Sequence, residues 1–241
     1  MTPNPQHRRF VAREAAGQVD IAAAQALRAA AFGLTQPDVD SFDAICTHIV
    51  IEDRRERRLA GCFRLMPLAD GESIGTSYSA QVYDLGALST YPGPVTELGR
   101  FCIHPSSRDP DILRAAWGAI AAHVDGCDVQ LLFGCASFRG ADPAPYAPAF
   151  AALAERHLAP PEWAPRQRGP GAVMLADAPK ADACPALLPP LLRSYLGMGG
   201  WVSDHAVIDP AMNTIHVFTA LEIAKIPEAR KARLRAAQAG A

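Results

Sequence analysis

Apolar residues recur at helical spacing through residues 18–32, QVDIAAAQALRAAAF, with Asp20 near the start and Gly33 just past the end, and this predicts a first helix. Two β-rich runs follow, CTHIVIED (46–53) and RLAGCFRLMPL (58–68), joined by RRER, which predicts a hairpin with a basic tip. DPDILRAAWGAIAAHV (109–124) places Asp109 as an N-cap and Pro110 at the first helical position, ahead of periodic apolar residues. VQLLFGCASF (129–138) reads as a buried strand and DPAPYAPAFAALAERHL (142–158) as a helix after a proline-rich turn. Residues 159–172 form a Pro/Gly/Arg-rich loop of a length that usually signals function or mobility. Strand AVMLAD (172–177), helix LPPLLRSYLGMG (188–199), strands VSDHAVID (202–209) and TIHVFTAL (214–221), and a short basic helix at about 227–239 complete the order. With no repeat and no low-complexity linker, a single α/β domain spanning 1–241 with a mixed sheet is the simplest account.

One stretch breaks the strand rule. In VTELGRFCIHP (95–105) alternation puts Glu97 on the face of Val95, Phe101 and Ile103, with Arg100 on the other. A β-bulge at Leu98-Gly99 would reverse the alternation, and glycine can supply the positive φ that some bulges need. Glu97 and Arg100 would then share a face, close enough to interact. On the residues alone, a structural ion pair and a catalytic pair fit equally well.

Nearly half the 241 residues are apolar, enough for a sizeable core, and a formal charge of -2 excludes the global basic field that nucleic-acid binding needs. Six cysteines without a C-x-x-C pair, most in apolar runs, read as reduced core thiols of a cytosolic protein. The N-terminus lacks an apolar targeting core, and no apolar stretch approaches the roughly 20 residues of a spanning helix, so neither export nor membrane spanning is expected. Seven histidines without H-x-x-x-H or H-E-x-x-H spacing argue against a metal site.

The element order resembles the GNAT acyltransferase fold, a central mixed and mostly antiparallel sheet flanked by helices. Arg28-x-x-x-Phe32, Asp40-x-x-Asp43, Arg64 and Glu97-Leu-Gly-Arg100-Phe101 resemble the pattern of acyl-homoserine-lactone synthases. The chain from about residue 8 to 226, including GCASF and LLRSYLGMGGWVSDHAVIDPAMNT, is still more similar to ornithine acyl-acyl-carrier-protein N-acyltransferases. That resemblance implies transfer of a 3-hydroxyacyl group from a carrier-protein thioester to the α-amine of ornithine, giving lyso-ornithine lipid. It implies acyl carrier protein as partner, no cofactor beyond the donor's phosphopantetheine, and a cytoplasmic enzyme that can meet the inner membrane face. Two departures matter. Residues 33–39 read GLTQPDV, without the tryptophan of the lactone synthases, which favours a plain amino-acid acceptor; His205 and His216 stand where the lipid enzymes lead one to expect glycine and aspartate. Acylation of glutamine or another amino acid, lactone synthesis, and a non-catalytic acyl-carrier or lipid-binding module are the alternatives.

Amide formation from a thioester needs an amine deprotonated before or during attack and a donor for the developing oxyanion. Glu97 is the candidate base, its apolar neighbours expected to raise its pKa; Arg100 would orient it or bind substrate carboxylate. Backbone N–H groups near Phe101, Cys102 and Ile103 are the candidate oxyanion donors, and Ser137 of GCASF joins them as a substrate contact. Arg28, Arg64, Asp40 and Asp43, with Phe32 one turn beyond Arg28, are expected to order the first helix and its following loop over the substrate cleft, one aspartate serving a cationic acceptor side chain. A covalent mechanism through Cys102 and His104 competes poorly, because Pro105 suggests simple strand termination. The turn SSRDPDIL lacks the glycines that hold coenzyme A phosphates in other enzymes of the fold, and Asp109 and Asp111 oppose anions there. Basic surface for an acidic carrier protein is available at Arg54, Arg55, Arg57 and Arg58, at Arg166 and Arg168, and at Arg230, Lys231, Arg233 and Arg235.

Overall fold

The computed structural model describes residues 8–169, 171–179 and 185–238. The chain divides into two compact units, one built from residues up to Met66, Leu98–Val129 and the segment from Pro227, the other from Pro67–Glu97 and Gln130–Ile226.

In the first unit, β1 (Phe10–Glu14) pairs antiparallel with β2 (Thr47–Asp53), which pairs antiparallel with β3 (Arg58–Leu68). The part of β5 (Val95–Ile103) from Leu98 onward lies beside β3. Helix α1 (Gln18–Phe32) ends at Gly33, whose φ of 73° is the left-handed conformation that glycine adopts without a Cβ penalty. It buries Ala24 and Leu27 against Val50 of β2, Cys62 of β3 and Cys102 of β5. Helix α2 (Pro110–Gly126) starts as its sequence dictates: the Asp109 carboxylate accepts from the Asp111 N–H at 3.0 Å, and Pro110 occupies the first turn. Helix α5 (Glu228–Gln238) packs on α2, and Arg235 donates to both carboxylate oxygens of Asp125 at 3.1 Å.

In the second unit, Val95, Thr96 and Glu97 of β5 pair in parallel with Leu131, Leu132 and Phe133 of β6 (Leu131–Arg139). β6 pairs antiparallel along its whole length with β10 (Thr214–Glu222), β10 with β9 (Trp201–Asp209), and β9 with β8 (Ala172–Met174). Two faces result from the alternation of side chains. One packs Phe138, Val202, Ala206, Ile215 and Val217 against α3 (Ala147–Arg156) and α4 (Pro190–Leu196) through Phe150, Leu153 and Leu192. On the other, Tyr83 lies against His205, His216 and Phe218. Tyr83 belongs to the short strand β4 (Tyr83–Asp84), which pairs with β7 (Arg166–Gln167), so part of the Pro/Gly/Arg loop is fixed by pairing, and Arg168 donates to the Ala80 carbonyl at 2.6 Å.

Some expectations shift. Helix 142–158 shortens to a 3-10 turn and α3, and AVMLAD divides into β8 and a 3-10 turn. None of the described cysteines forms a disulfide, but Cys127 is exposed and Cys46 and Cys135 half-buried, so among the described residues only Cys62 and Cys102 are core thiols; Cys184 lies outside the described residues. Among the described residues, no helix is long and apolar enough to cross a membrane, and no group of three or more His, Cys, Asp or Glu is placed to hold a metal ion.

Candidate active site

The first unit brings together the arginines and aspartates singled out in sequence and adds a member the sequence did not reveal. Arg28, buried on α1, lies 2.9 Å from Asp38 through Nε and 2.7 Å from Asp43 through Nη1, and also donates through Nη2 to Asp43 at 2.8 Å and to the Asp38 carbonyl. Arg64, buried on β3, lies 2.8 Å from Asp43 and grips Asp40 with both Nη groups at 2.6 and 2.8 Å. Arg100 of β5 completes the circuit, 2.8 Å from Asp38 and 3.1 Å from Asp40. Three guanidinium groups and three carboxylates thus alternate in a closed ring of six ion pairs.

The ring is fixed from outside as well. Asp40 caps the 3-10 turn Ser41–Ala44 through the Phe42 N–H, and Phe42 lies beneath the Arg64 guanidinium at 5.5 Å. Gln25 donates to Asp43 at 2.9 Å and His48 to the Asp43 carbonyl at 2.9 Å. Burial alone would push the Asp43 carboxyl up, but hydrogen bonds from Arg28 and Gln25 and the Arg28 charge outweigh it and hold Asp43 well below the usual carboxylate range. Asp40 behaves alike: burial raises it, and the Arg64 bond with the Arg64 and Arg100 charges bring it below its ordinary value. Asp40 and Asp43 therefore stay ionised at neutral pH, and the ring ties α1, its following loop, β3 and β5 together.

The second unit holds Glu97 in a cradle. The buried carboxylate accepts from the Tyr78 N–H at 2.8 Å, the Ser79 N–H at 2.7 Å and the Ser79 hydroxyl at 2.5 Å. Ser79 Oγ also lies 3.4 Å from Cys135 Sγ. Two successive N–H groups and a hydroxyl converging on one carboxylate replace the purely apolar surroundings expected from the strand pattern. Accepting three donors is chemistry that an ionised carboxylate performs well.

Other expectations on β5 need correction. The positive φ falls on Arg100, at 52°, and not on Gly99. The Cys102 side chain lies in the core, 3.5 Å from Cys62 Sγ; hydrogen bonding with Cys102, then burial, pushes the Cys62 thiol well above its usual value. His104 Nδ1 meets the Ser106 hydroxyl at 3.0 Å, and its backbone N–H donates to the Ala60 carbonyl of β3 at 2.8 Å, both structural contacts at the end of β5. Phe32 is half-buried against the same core, Phe101 is half-buried with its ring 5.9 Å from that of Phe63, Ile103 is half-buried, and Ser137 is exposed opposite His216. Asp38, Gln25 and His48, together with Tyr78, Ser79 and Cys135, were not anticipated.

A mixed, mostly antiparallel sheet flanked by helices is the architecture of a GNAT-fold acyltransferase. Residues 24–118 match the acetyltransferase (GNAT) domain family. The chain is 33% identical over 237 residues to the L-ornithine N(alpha)-acyltransferase of Rhizobium meliloti, covering 89% of this chain and 80% of that protein. It is 32% identical to the enzyme of the same name from Rhodobacter capsulatus, covering 79% of this chain and 76% of that protein. Among solved structures, the apo form of TofI superposes with a TM-score of 0.50 at 14% identity, covering 97% of this chain and all of that one, a likeness of fold. The chain belongs to the L-ornithine N(alpha)-acyltransferase family.

Proposed function

We propose that this N-acyltransferase moves a 3-hydroxyacyl group from the phosphopantetheine thioester of acyl carrier protein to the α-amine of L-ornithine, giving lyso-ornithine lipid. The observation that carries the acceptor is the identity across 89% of the chain to a relative named for L-ornithine acylation. Glu97 accepts a proton from the α-ammonium group, and the freed amine attacks the thioester carbonyl. The N–H groups of Phe101 to Ile103 stabilise the oxyanion. Collapse of the tetrahedral intermediate forms the amide and releases the pantetheine thiol, which takes up the remaining amine proton. Arg100 holds the substrate carboxylate.

The donor assignment is supported at the start of α2. Asp109 caps the helix with its own carboxylate, Arg108 is committed to the Pro105 and Ser107 carbonyls, and Arg58 to the Ser106 and Ser107 hydroxyls. A capping carboxylate discourages a coenzyme A pyrophosphate at that end. A donor whose phosphate is carried by its own protein suits it better, and no further cofactor is called for. The lipid product would bring the enzyme into contact with the cytoplasmic membrane face.

The test is to incubate purified protein with 3-hydroxyacyl carrier protein and, in parallel, 3-hydroxyacyl-coenzyme A, each with ornithine, glutamine and other amino acids, and to weigh the products. Acylated ornithine formed from the carrier-protein donor is expected. Acylation of glutamine but not ornithine would overturn the acceptor, equal use of coenzyme A would overturn the donor, and no acylated amino acid at all would favour a binding module.

A further inference from the structure

The ring is uneven. Its longest link, 3.1 Å, joins Arg100 to Asp40, and these two are also its most exposed members, with 12% and 22% of the side chain accessible. Arg28, Asp38, Asp43 and Arg64 are 8% accessible or less. If the circuit opens anywhere, it opens there. Asp40 would keep its two-pronged hold on Arg64, at 2.6 and 2.8 Å, and Arg100 its 2.8 Å bond to Asp38, so the framework survives the loss of that one link.

Opening the link leaves one guanidinium and one carboxylate short of a partner in a largely buried place, which is costly unless new partners replace the old. A ligand that closes the circuit again must carry a carboxylate for Arg100 and a cation for Asp40. An amino acid with a cationic side chain has both, at opposite ends, and leaves its α-amine to react. We infer that the Arg100–Asp40 link is the acceptor-recognition edge of the ring: Arg100 takes the α-carboxylate and Asp40 the distal ammonium of a diamino acid. This rests on the proposed function, and it makes Asp40 the residue that selects a cationic over a neutral acceptor side chain. Asp38, which spans Arg28 and Arg100, acts as a positioning residue that keeps Arg100 aimed when the link opens.

L-norvaline has the carbon skeleton of L-ornithine without the δ-ammonium, so the ratio of kcat/KM for the two acceptors, with 3-hydroxyacyl carrier protein as donor, reads the subsite directly. The wild type is expected to favour ornithine at least tenfold, mainly through KM, the size expected of about 1.5 kcal/mol or more from a hydrogen bond between charged groups. Asp40→Asn keeps the shape and remains a good cap for the 3-10 turn, and it should cut that ratio tenfold or more. Asp40→Glu carries its carboxylate one methylene further and should move the preference toward the shorter 2,4-diaminobutyrate. Equal losses on both acceptors in Asp40→Asn, or no shift in preferred length in Asp40→Glu, would overturn the subsite, and so would a wild type that takes norvaline as well as ornithine. Should Asp40→Asn fail to fold, the Asp40→Glu length series and calorimetric titration of the wild type with both amino acids decide the matter, norvaline binding within about threefold of ornithine counting against it. A wild type that acylates no diamino acid is a different failure, that of the proposed function.

Discussion

Glu97 is legible in the sequence because it violates a rule: a carboxylate on the apolar face of a strand needs a reason. Its partners are not legible. Tyr78 acts through a backbone N–H that any residue but proline would offer, and Ser79 is one serine in GESIGTSYSAQV, where no periodicity marks it. Asp38 is hidden for a similar reason, since Asp40 and Asp43 already account for an ordinary acidic loop. The cradle makes two roles separable. Replacing Glu97 by Gln keeps size and removes basicity, and kcat should fall by roughly 10² to 10⁴ with the fold intact; activity within a few-fold of wild type across pH would end its assignment as base. Ser79→Ala removes only the hydroxyl at 2.5 Å, a bond to a charged group, and should lower kcat by about tenfold to a hundredfold with little change in KM for either substrate. Ser79→Thr should restore most of that loss. A Ser79→Ala enzyme that loses thermal stability but keeps kcat would show the hydroxyl to be a packing contact and nothing more.

Elements with a strong period were readable to the residue: α1 as 18–32 and β3 as 58–68. The segment between β3 and β5 was opaque, because it folds as three short 3-10 turns and a two-residue strand, none long enough to show a repeat. β1 was missed as well, since FVARE is short and half polar and is made a strand by its ladder to β2. The glycines of β3 and β5 show how a correct suspicion can settle on the wrong residue. In sequence Gly99 is the candidate for a bulge's positive φ, yet an added Cβ would sit 3.4 Å from Arg64 Nε and 3.6 Å from its Cγ, ordinary contact with a side chain, and the unusual backbone falls on Arg100 instead. Gly61 in β3 attracts no attention, yet a Cβ there would meet the Cys102 carbonyl oxygen at 2.9 Å, with Ile51 and Ile112 close behind. Backbone cannot step aside as a side-chain end can. Gly61→Ala is therefore expected to destabilise the protein by about 1–3 kcal/mol, as overpacking does, and Gly99→Ala by less than about 1 kcal/mol. Chemical denaturation of the two variants compares them, and an equal or reversed order would refute the reading of both strands.

For the whole molecule the near-neutral formal charge of -2 conceals local organisation, in the ring and in the C-terminal helix. Asp40 and Asp43 have carboxyl groups held below the ordinary 3.8, so their contribution is present above that value and is lost as pH falls through it toward their folded values. Thermal melts should fall more steeply below about pH 4, and less so in Asp43→Asn than in the wild type; identical slopes there would deny the ring this part in acid stability. The helix is a matter of surface. Sequence shows five cations from residue 225 onward against one acid, Glu228, and the structure divides them. Lys225 pairs with Glu222, Lys231 with Glu228 and Arg235 with Asp125, whereas Arg230 and Arg233 stand exposed on α5. Only cations that are not already neutralised can attract an acidic carrier protein strongly, and attraction between exposed charges is screened within about 8 Å at physiological ionic strength. Substituting the pair, Arg230→Glu with Arg233→Glu, tests docking without removing the Arg235–Asp125 contact that holds α5 to α2. KM for the acylated carrier protein should rise, KM for the amino acid should stay near its wild-type value, and the salt dependence of kcat/KM should flatten. If carrier-protein KM and salt slope both match the wild type, α5 has no part in donor binding, and the basic tip at Arg54, Arg55 and Arg57 becomes the surface to alter next.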